Sequence, residues 1–226
     1  MSGEVRPAFY ALAPGGWRDY ATLLHPPYTL WHLSYVAIGA SLVPHMRWAL
    51  LGWTALAFLL AMGVGAHALD ELRGRPLRTR IPSAVLVGLA AASIVAASAI
   101  GLVVAAQTTW WLAAFVGAGA FVVVAYNLEL FGGRFHTDVW FAASWGAFPV
   151  LTGYFAAAEN LRAAAFAAAA FAFASSLAQR TLSTAVRAAR RGASDPGAAR
   201  TAERALELLA VALPLVAAAL LLSRSG

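Results

Sequence analysis

Apolar residues fill this chain in runs of about helix-spanning length, and the polar residues collect in short clusters between them. A bilayer core takes about 20 apolar residues of helix. Seven stretches reach or approach that length: 28–44, 47–69, 83–106, 109–130, 138–157, 160–182 and 204–223. Pro44, Pro82, the pair Gly132-Gly133 and Pro196-Gly197 fall in the breaks, where helices stop. The boundary between the third and fourth stretches is the least defined, since only QTTWW separates them. Strands of this length would leave open edges in lipid. The pattern therefore predicts an all-α fold: a polytopic membrane bundle of about seven transmembrane helices, forming one domain over residues 25–226. Residues 1–24 are too polar, and too rich in Gly and Pro, for a secretory leader. They are expected to form a cytoplasmic or interfacial segment with Trp17 and Tyr20 near the headgroups.

Composition agrees with this reading. Hydrophobic residues make up 61% of the chain and charged residues only 12%, against about 25% charged in soluble domains. There is no cysteine, which excludes disulfides and thiolate metal sites. All sixteen cationic side chains are arginine. Without lysine there is no Schiff base, so seven helices do not make a retinal protein.

Arginine placement predicts the orientation. If the spans alternate, one side holds Arg6, Arg18, Arg73, Arg75, Arg78, Arg80, Arg134, Arg180, Arg187, Arg190, Arg191, Arg200 and Arg204. The other side holds only Arg47, Arg162 and Arg224. By the positive-inside rule the richer side is cytoplasmic, which puts the N-terminus inside and the C-terminus outside. The expected setting is a bacterial or archaeal cytoplasmic membrane. The basic pI reflects this topology rather than a groove-matching patch, so no nucleic-acid partner is expected.

Ionisable groups within spans are expensive and suggest function. The second span ends in AHALDELRGRPLRTRIP, with His67, Asp70 and Glu71 at i, i+3 and i+4, a spacing that predicts one shared face. The fourth span ends with Tyr126, Asn127 and Glu129 and leads to His136 and Asp138. The first carries His25 just before the membrane and His32 about a turn inside it. All lie on the cytoplasmic side under this topology. More ordinary roles fit some of them: solvated interfacial histidines for His25 and His136, a helix–helix bond for His32. Ion pairs of Asp70 and Glu71 with Arg73 and Arg75, or of Glu129 with Arg134, are others.

Two chemistries suit such a cluster. Carboxylates beside arginines suit Mg²⁺ and a phosphorylated substrate, because Mg²⁺ completes its shell with substrate oxygens and guanidinium forks grip phosphate. A mixed histidine and carboxylate set suits Fe, Zn or Mn. The sequence His67-x-x-Asp70 matches only part of a carboxylate-bridged di-metal pattern. The metal-ligand candidates are His32, His67, Asp70, Glu71, Glu129, His136 and Asp138.

The stretch AMGVGAHALDELRGRPLRTRIPSAVL resembles the first aspartate-rich motif of the UbiA superfamily of intramembrane prenyltransferases. HPPYTLWHLSYVAIGASL resembles that family's first helix, and AYNLELFGGRFHTDVWFAASWGAFPVLTGYF its fourth and fifth, over roughly residues 25–182 in all. Ala66-His67 stands where the family has Asn-Asp, Asp70 keeps the next Asp, and Gly74 replaces a later one. After the sixth span only Asp195, Glu203 and Glu207 stand for the second motif, and the chain has seven spans rather than nine. The resemblance implies a divergent UbiA-like fold handling an isoprenoid or other lipid-like diphosphate with Mg²⁺. On that reading Asp70, Glu71 and Glu129 are catalytic, while Arg73, Arg75, Arg78, Arg80, Tyr126 and Asn127 bind substrate. A transition-metal enzyme on the same scaffold, and a non-catalytic lipid-binding or scaffold protein, are the alternatives. The arginine run RTLSTAVRAARRGASDPGAARTAER is read either as a loop facing anionic lipid headgroups or as a diphosphate-binding lid.

Overall fold

In a computed structural model that describes residues 7–190 and 195–225, the chain is helical throughout, with no strand among the described residues. A short helix α1 (Trp17–Leu23) leads into α2 (Pro26–Ser41). Next come α3 (Trp48–Leu72), α4 (Ser83–Gln107) and α5 (Leu112–Asn127). The bundle is completed by α6 (138–158), α7 (Ala163–Arg190) and α8 (Pro196–Leu222). Each of the seven apolar stretches thus falls on one of α2–α8.

Three of these helices are long and apolar enough to cross a membrane: Trp48–Leu72, Ser83–Gln107 and Gly197–Leu222. The others correct the simple picture of seven equal spans. Both α2 and α5 have 16 residues, or roughly 24 Å of helix against a core about 30 Å thick. Arg6 and Arg191, used in the arginine count, lie outside the described residues. The outer faces of α4 and α8 expose Val87, Val95 and Val103, and Val211, Leu215 and Leu222, an apolar surface suited to lipid.

Local chemistry sets the helix ends. Pro26 begins α2 at a position where its missing N–H is not needed. The Thr137 side chain caps α6 by accepting from the Trp140 N–H, and Asp195 caps α8 by accepting from the Ala198 N–H. Both α3 and α6 contain a π-helical stretch, Leu59–Ala66 and Ala142–Ala147. The second runs into Pro149, which has no N–H to offer the carbonyl of Trp145.

The core centres on α6, gripped between α2 and α7. A Cβ on Gly39 would lie 2.1 Å from the Val150 carbonyl oxygen, and one on Gly153 2.3 Å from that of Val36. A Cβ on Gly146 would lie 2.5 Å from the Ala172 carbonyl oxygen. These glycines let the backbones approach as small residues do in membrane bundles. Trp31 and Tyr35 of α2 are fully buried in the same core, joined by an indole N–H donated to the phenol oxygen at 2.6 Å. Helix α8 packs on α2 and α7, while α3, α4 and α5 form the opposite wall.

Candidate functional site

At the end of the bundle where α3 and α5 finish, a cavity of about 500 Å³ opens between α2, α3, α5, α6, α7 and α8. Pro7, Phe9 and Tyr10, ahead of α1, also line it. Four of the chain's five histidines are on its wall: His25, His32, His67 and His136.

Their surroundings differ. His25 precedes α2 with a left-handed backbone (φ 46°), and its ring stacks on His67 with centroids 3.9 Å apart. Burial holds His25 well below the ordinary histidine range, and neighbouring His67 and His32 add to the effect. His67 Nδ1 lies 3.1 Å from the Gly63 carbonyl oxygen within the π-helical stretch of α3. A carbonyl only accepts, so Nδ1 carries the proton and Nε2 of the neutral ring is an acceptor. By the same argument His136 donates from Nδ1 to the Tyr126 carbonyl at 3.0 Å. Tyr10 packs beside His25, and burial, with Tyr28 and Asp70 nearby, pushes its phenol up.

Beneath the rim the buried His32 ring and Gln179 side chain interact with each other, while the Tyr126 hydroxyl is buried without a hydrogen-bond partner among the described residues. The three residues are 2%, 4% and 5% exposed. A buried polar group left unpaired costs about 1–3 kcal/mol, a cost that the Tyr126 hydroxyl carries on this cavity wall.

The charged wall is on α7. Arg180, Arg187 and Arg190 line the cavity with Gln179, Ser183 and Val186. Their spacing follows one helical face, and ten residues at 1.5 Å each give a cationic stripe roughly 15 Å long. Arg180 donates to Asp138 at 2.9 Å and lies over the Phe141 ring at 5.1 Å. Arg187 donates to the Thr184 hydroxyl, and Arg190 joins Glu203 of α8 to the Pro7 carbonyl.

The structure divides the residues singled out in the sequence. His32, His67, Asp70, Tyr126, Asn127 and His136 line the cavity, although the Asn127 amide is committed to the Val123 carbonyl. The other candidates do not line it. Glu71 is fully buried and accepts from the Leu77 N–H, the Thr79 N–H and the Thr79 hydroxyl at 2.8–3.0 Å. It holds the 73–82 loop, and the expected shared face with Asp70 fails because adjacent helical residues diverge by about 100°. Asp19 grips the same loop through the Arg80 N–H.

That folding turns the loop arginines outward. Arg73 pairs with Glu129 at 2.9 Å, and Arg75 donates to the Ile81 carbonyl and the Ser83 hydroxyl. Arg78 and Arg80 are exposed. Glu129, Asp138 and Glu71 are thus each occupied by protein partners. Among the described residues no three His, Asp or Glu side chains come together to hold a metal. The residues present do not fit a preassembled Mg²⁺, Fe, Zn or Mn centre built from the seven candidates.

What the sequence reading underrated is the spacing of Gln179, Arg180, Ser183, Arg187 and Arg190, which the 3.6-residue period places on one face. Phe9, Tyr10 and Trp145 carried no signal at all. Comparison with protein-family models, curated proteins and solved structures found no match.

Proposed function

We propose that this chain is an integral membrane protein of seven crossing helices, its N-terminus and arginine-rich turns cytoplasmic, that binds an isoprenoid or other lipid-like molecule by a phosphate or diphosphate head group. The observation that carries this reading is the arginine stripe of α7 facing a cavity whose wall also holds the buried, unpartnered Tyr126 hydroxyl. Guanidinium forks grip phosphoryl oxygens bidentately, and a low-dielectric surround strengthens that attraction.

The transferase chemistry of a UbiA-like scaffold is compatible with this wall. When a diphosphate leaves, the electron pair of the broken C–O bond goes with its oxygen, the arginines neutralise the developing charge, and an electron pair of the acceptor bonds to the carbon left behind. Asp70 is on the cavity wall and, unlike Glu203, makes no ion pair at contact distance among the described residues. It is the candidate base for the proton that an acceptor must lose.

The test is titration of detergent-purified protein with farnesyl diphosphate, farnesol and inorganic diphosphate, with and without Mg²⁺. Farnesyl diphosphate is expected to bind at least about tenfold more tightly than farnesol, with binding retained when Mg²⁺ is chelated. Equal affinity for the alcohol and the diphosphate would overturn the reading.

A further inference from the structure

Residues 7–12, ahead of α1, lie across the mouth of the cavity without forming a helix of their own. Pro7, Ala8, Phe9 and Tyr10 are on the cavity wall and partly exposed at once, so they stand between the cavity and water. A turn within the segment is closed by the Ala11 N–H, which donates to the Ala8 carbonyl at 3.1 Å. The end nearer α1 is anchored. The Leu12 N–H donates to the Thr22 hydroxyl oxygen at 3.0 Å, the Gly15 N–H to the Asp19 carboxylate at 2.9 Å, and Ala11 is buried.

The other end is held by contacts of two kinds. Phe9 and Tyr10 meet the Tyr28 ring edge-on, with centroids 6.1 and 5.5 Å away, and Tyr10 leans on His25 at 5.4 Å. Such ring pairs are individually weak. Arg190 of α7 supplies the second contact, donating from one nitrogen to the Pro7 carbonyl and from the other to the Glu203 carboxylate of α8. The same guanidinium is the last of the cationic stripe on the cavity wall. Arg187 precedes it by three residues, about 4.5 Å along the helix, so one diphosphate is long enough to reach both side chains.

We infer that residues 7–11 are a strap latched by Arg190, and that a phosphoryl group arriving in the cavity releases it. This rests on the reading of the cavity as a phosphate or diphosphate site. Glu203 steadies the guanidinium in the latched position, and the same N–H groups cannot hold Pro7 and a ligand together. The neutral Pro7 carbonyl is a weaker acceptor than a phosphoryl oxygen, whose charge roughly doubles the strength of the bond. A ligand that draws Arg190 inward therefore takes the donor from Pro7 and leaves the strap with its ring contacts. Linkage works in both directions. Whatever loosens the strap raises the affinity of the site, because less of the binding energy goes into opening it.

The chain has no cysteine, so a single introduced thiol reports on the strap. Ala8→Cys carries the thiol on the strap, and Ser225→Cys, exposed near the C-terminus, is the control. Reaction with a neutral maleimide is timed in detergent-purified protein with and without inorganic diphosphate. Diphosphate is expected to speed the reaction of Ala8→Cys at least about threefold and to leave that of Ser225→Cys unchanged. In a second measurement, Phe9→Ala removes ring contacts to Tyr28 and Tyr10. It is expected to bind inorganic diphosphate about twofold to tenfold more tightly than wild type. An unchanged or slower reaction of Ala8→Cys would overturn the release, and a Phe9→Ala affinity equal to or below that of wild type would overturn the linkage. Either result, with diphosphate still bound by wild type, leaves the head-group site standing. If wild type binds no diphosphate, the head-group reading has failed and the strap falls with it.

Discussion

The chain has two conspicuous groups of arginines, and the structure uses them in opposite ways. Arg73, Arg75, Arg78 and Arg80 crowd one loop, yet that loop is folded back onto Glu71 and Asp19, and it lines the cavity with Pro76 and Leu77 rather than with its arginines. Arg180, Arg187 and Arg190 are spread over eleven positions of sequence, but the helix brings them to one wall of the cavity. Density of charge along a sequence is a poor guide to density of charge in space. Asp70 and Glu71 repeat the contrast one residue apart, one on the cavity wall and the other sealed beneath the loop.

The sharpest way to break this comparison is through Glu71. Glu71→Ala leaves two N–H groups and a hydroxyl without their acceptor, each worth about 1–3 kcal/mol when buried. A loss of roughly 3 kcal/mol or more is expected, read as a lower melting temperature in detergent, with unchanged farnesyl diphosphate affinity in the folded fraction. Unaltered melting would mean that the loop does not depend on this carboxylate.

A smaller effect separates the arginine groups directly. Arg180→Ala with Arg187→Ala should weaken farnesyl diphosphate binding by about tenfold to a hundredfold, since charged hydrogen bonds are worth about 1.5–3 kcal/mol each. Arg78→Ala with Arg80→Ala should change it by less than about twofold, as expected for exposed charges in screening salt. Comparable losses from both pairs would erase the distinction.

The smallest effect concerns His25, which anchors the mouth of the cavity beside His67, His32 and Tyr10. Its pKa is lowered in the folded protein, so the unfolded chain binds more protons at acid pH. Its contribution to stability is complete above the ordinary histidine value of 6.5 and is lost as the pH falls below it. Melting measured between about pH 7.5 and about pH 5 should fall more steeply in wild type than in His25→Gln. Parallel curves would show that this ring is not kept neutral by the fold.

Much of the architecture was legible in the chain. The apolar runs located the helices because an apolar side chain favours burial or lipid wherever it occurs, and Pro26, Thr137 and Asp195 act within a turn of their own position. The site was legible in part. His32, His67, Asp70, Tyr126 and His136 were recognisable because an ionisable or polar group inside an apolar run needs a reason to be there. Glu71 and the loop arginines misled, because the fate of a carboxylate depends on which donors the following loop brings back to it.

The sequence by itself determined that this protein is helical, where each helix runs, and which end of the bundle collects the polar residues. These follow from hydrophobicity, period and local capping, which need no partner far along the chain. Only the tertiary structure decided that α7 rather than the 73–82 loop supplies the cationic wall, and that Phe9 and Tyr10 help close the cavity. Those outcomes depend on how helices far apart in sequence pack together. Such packing is fixed by close approaches like that of Gly39 to Val150, which no periodicity reveals.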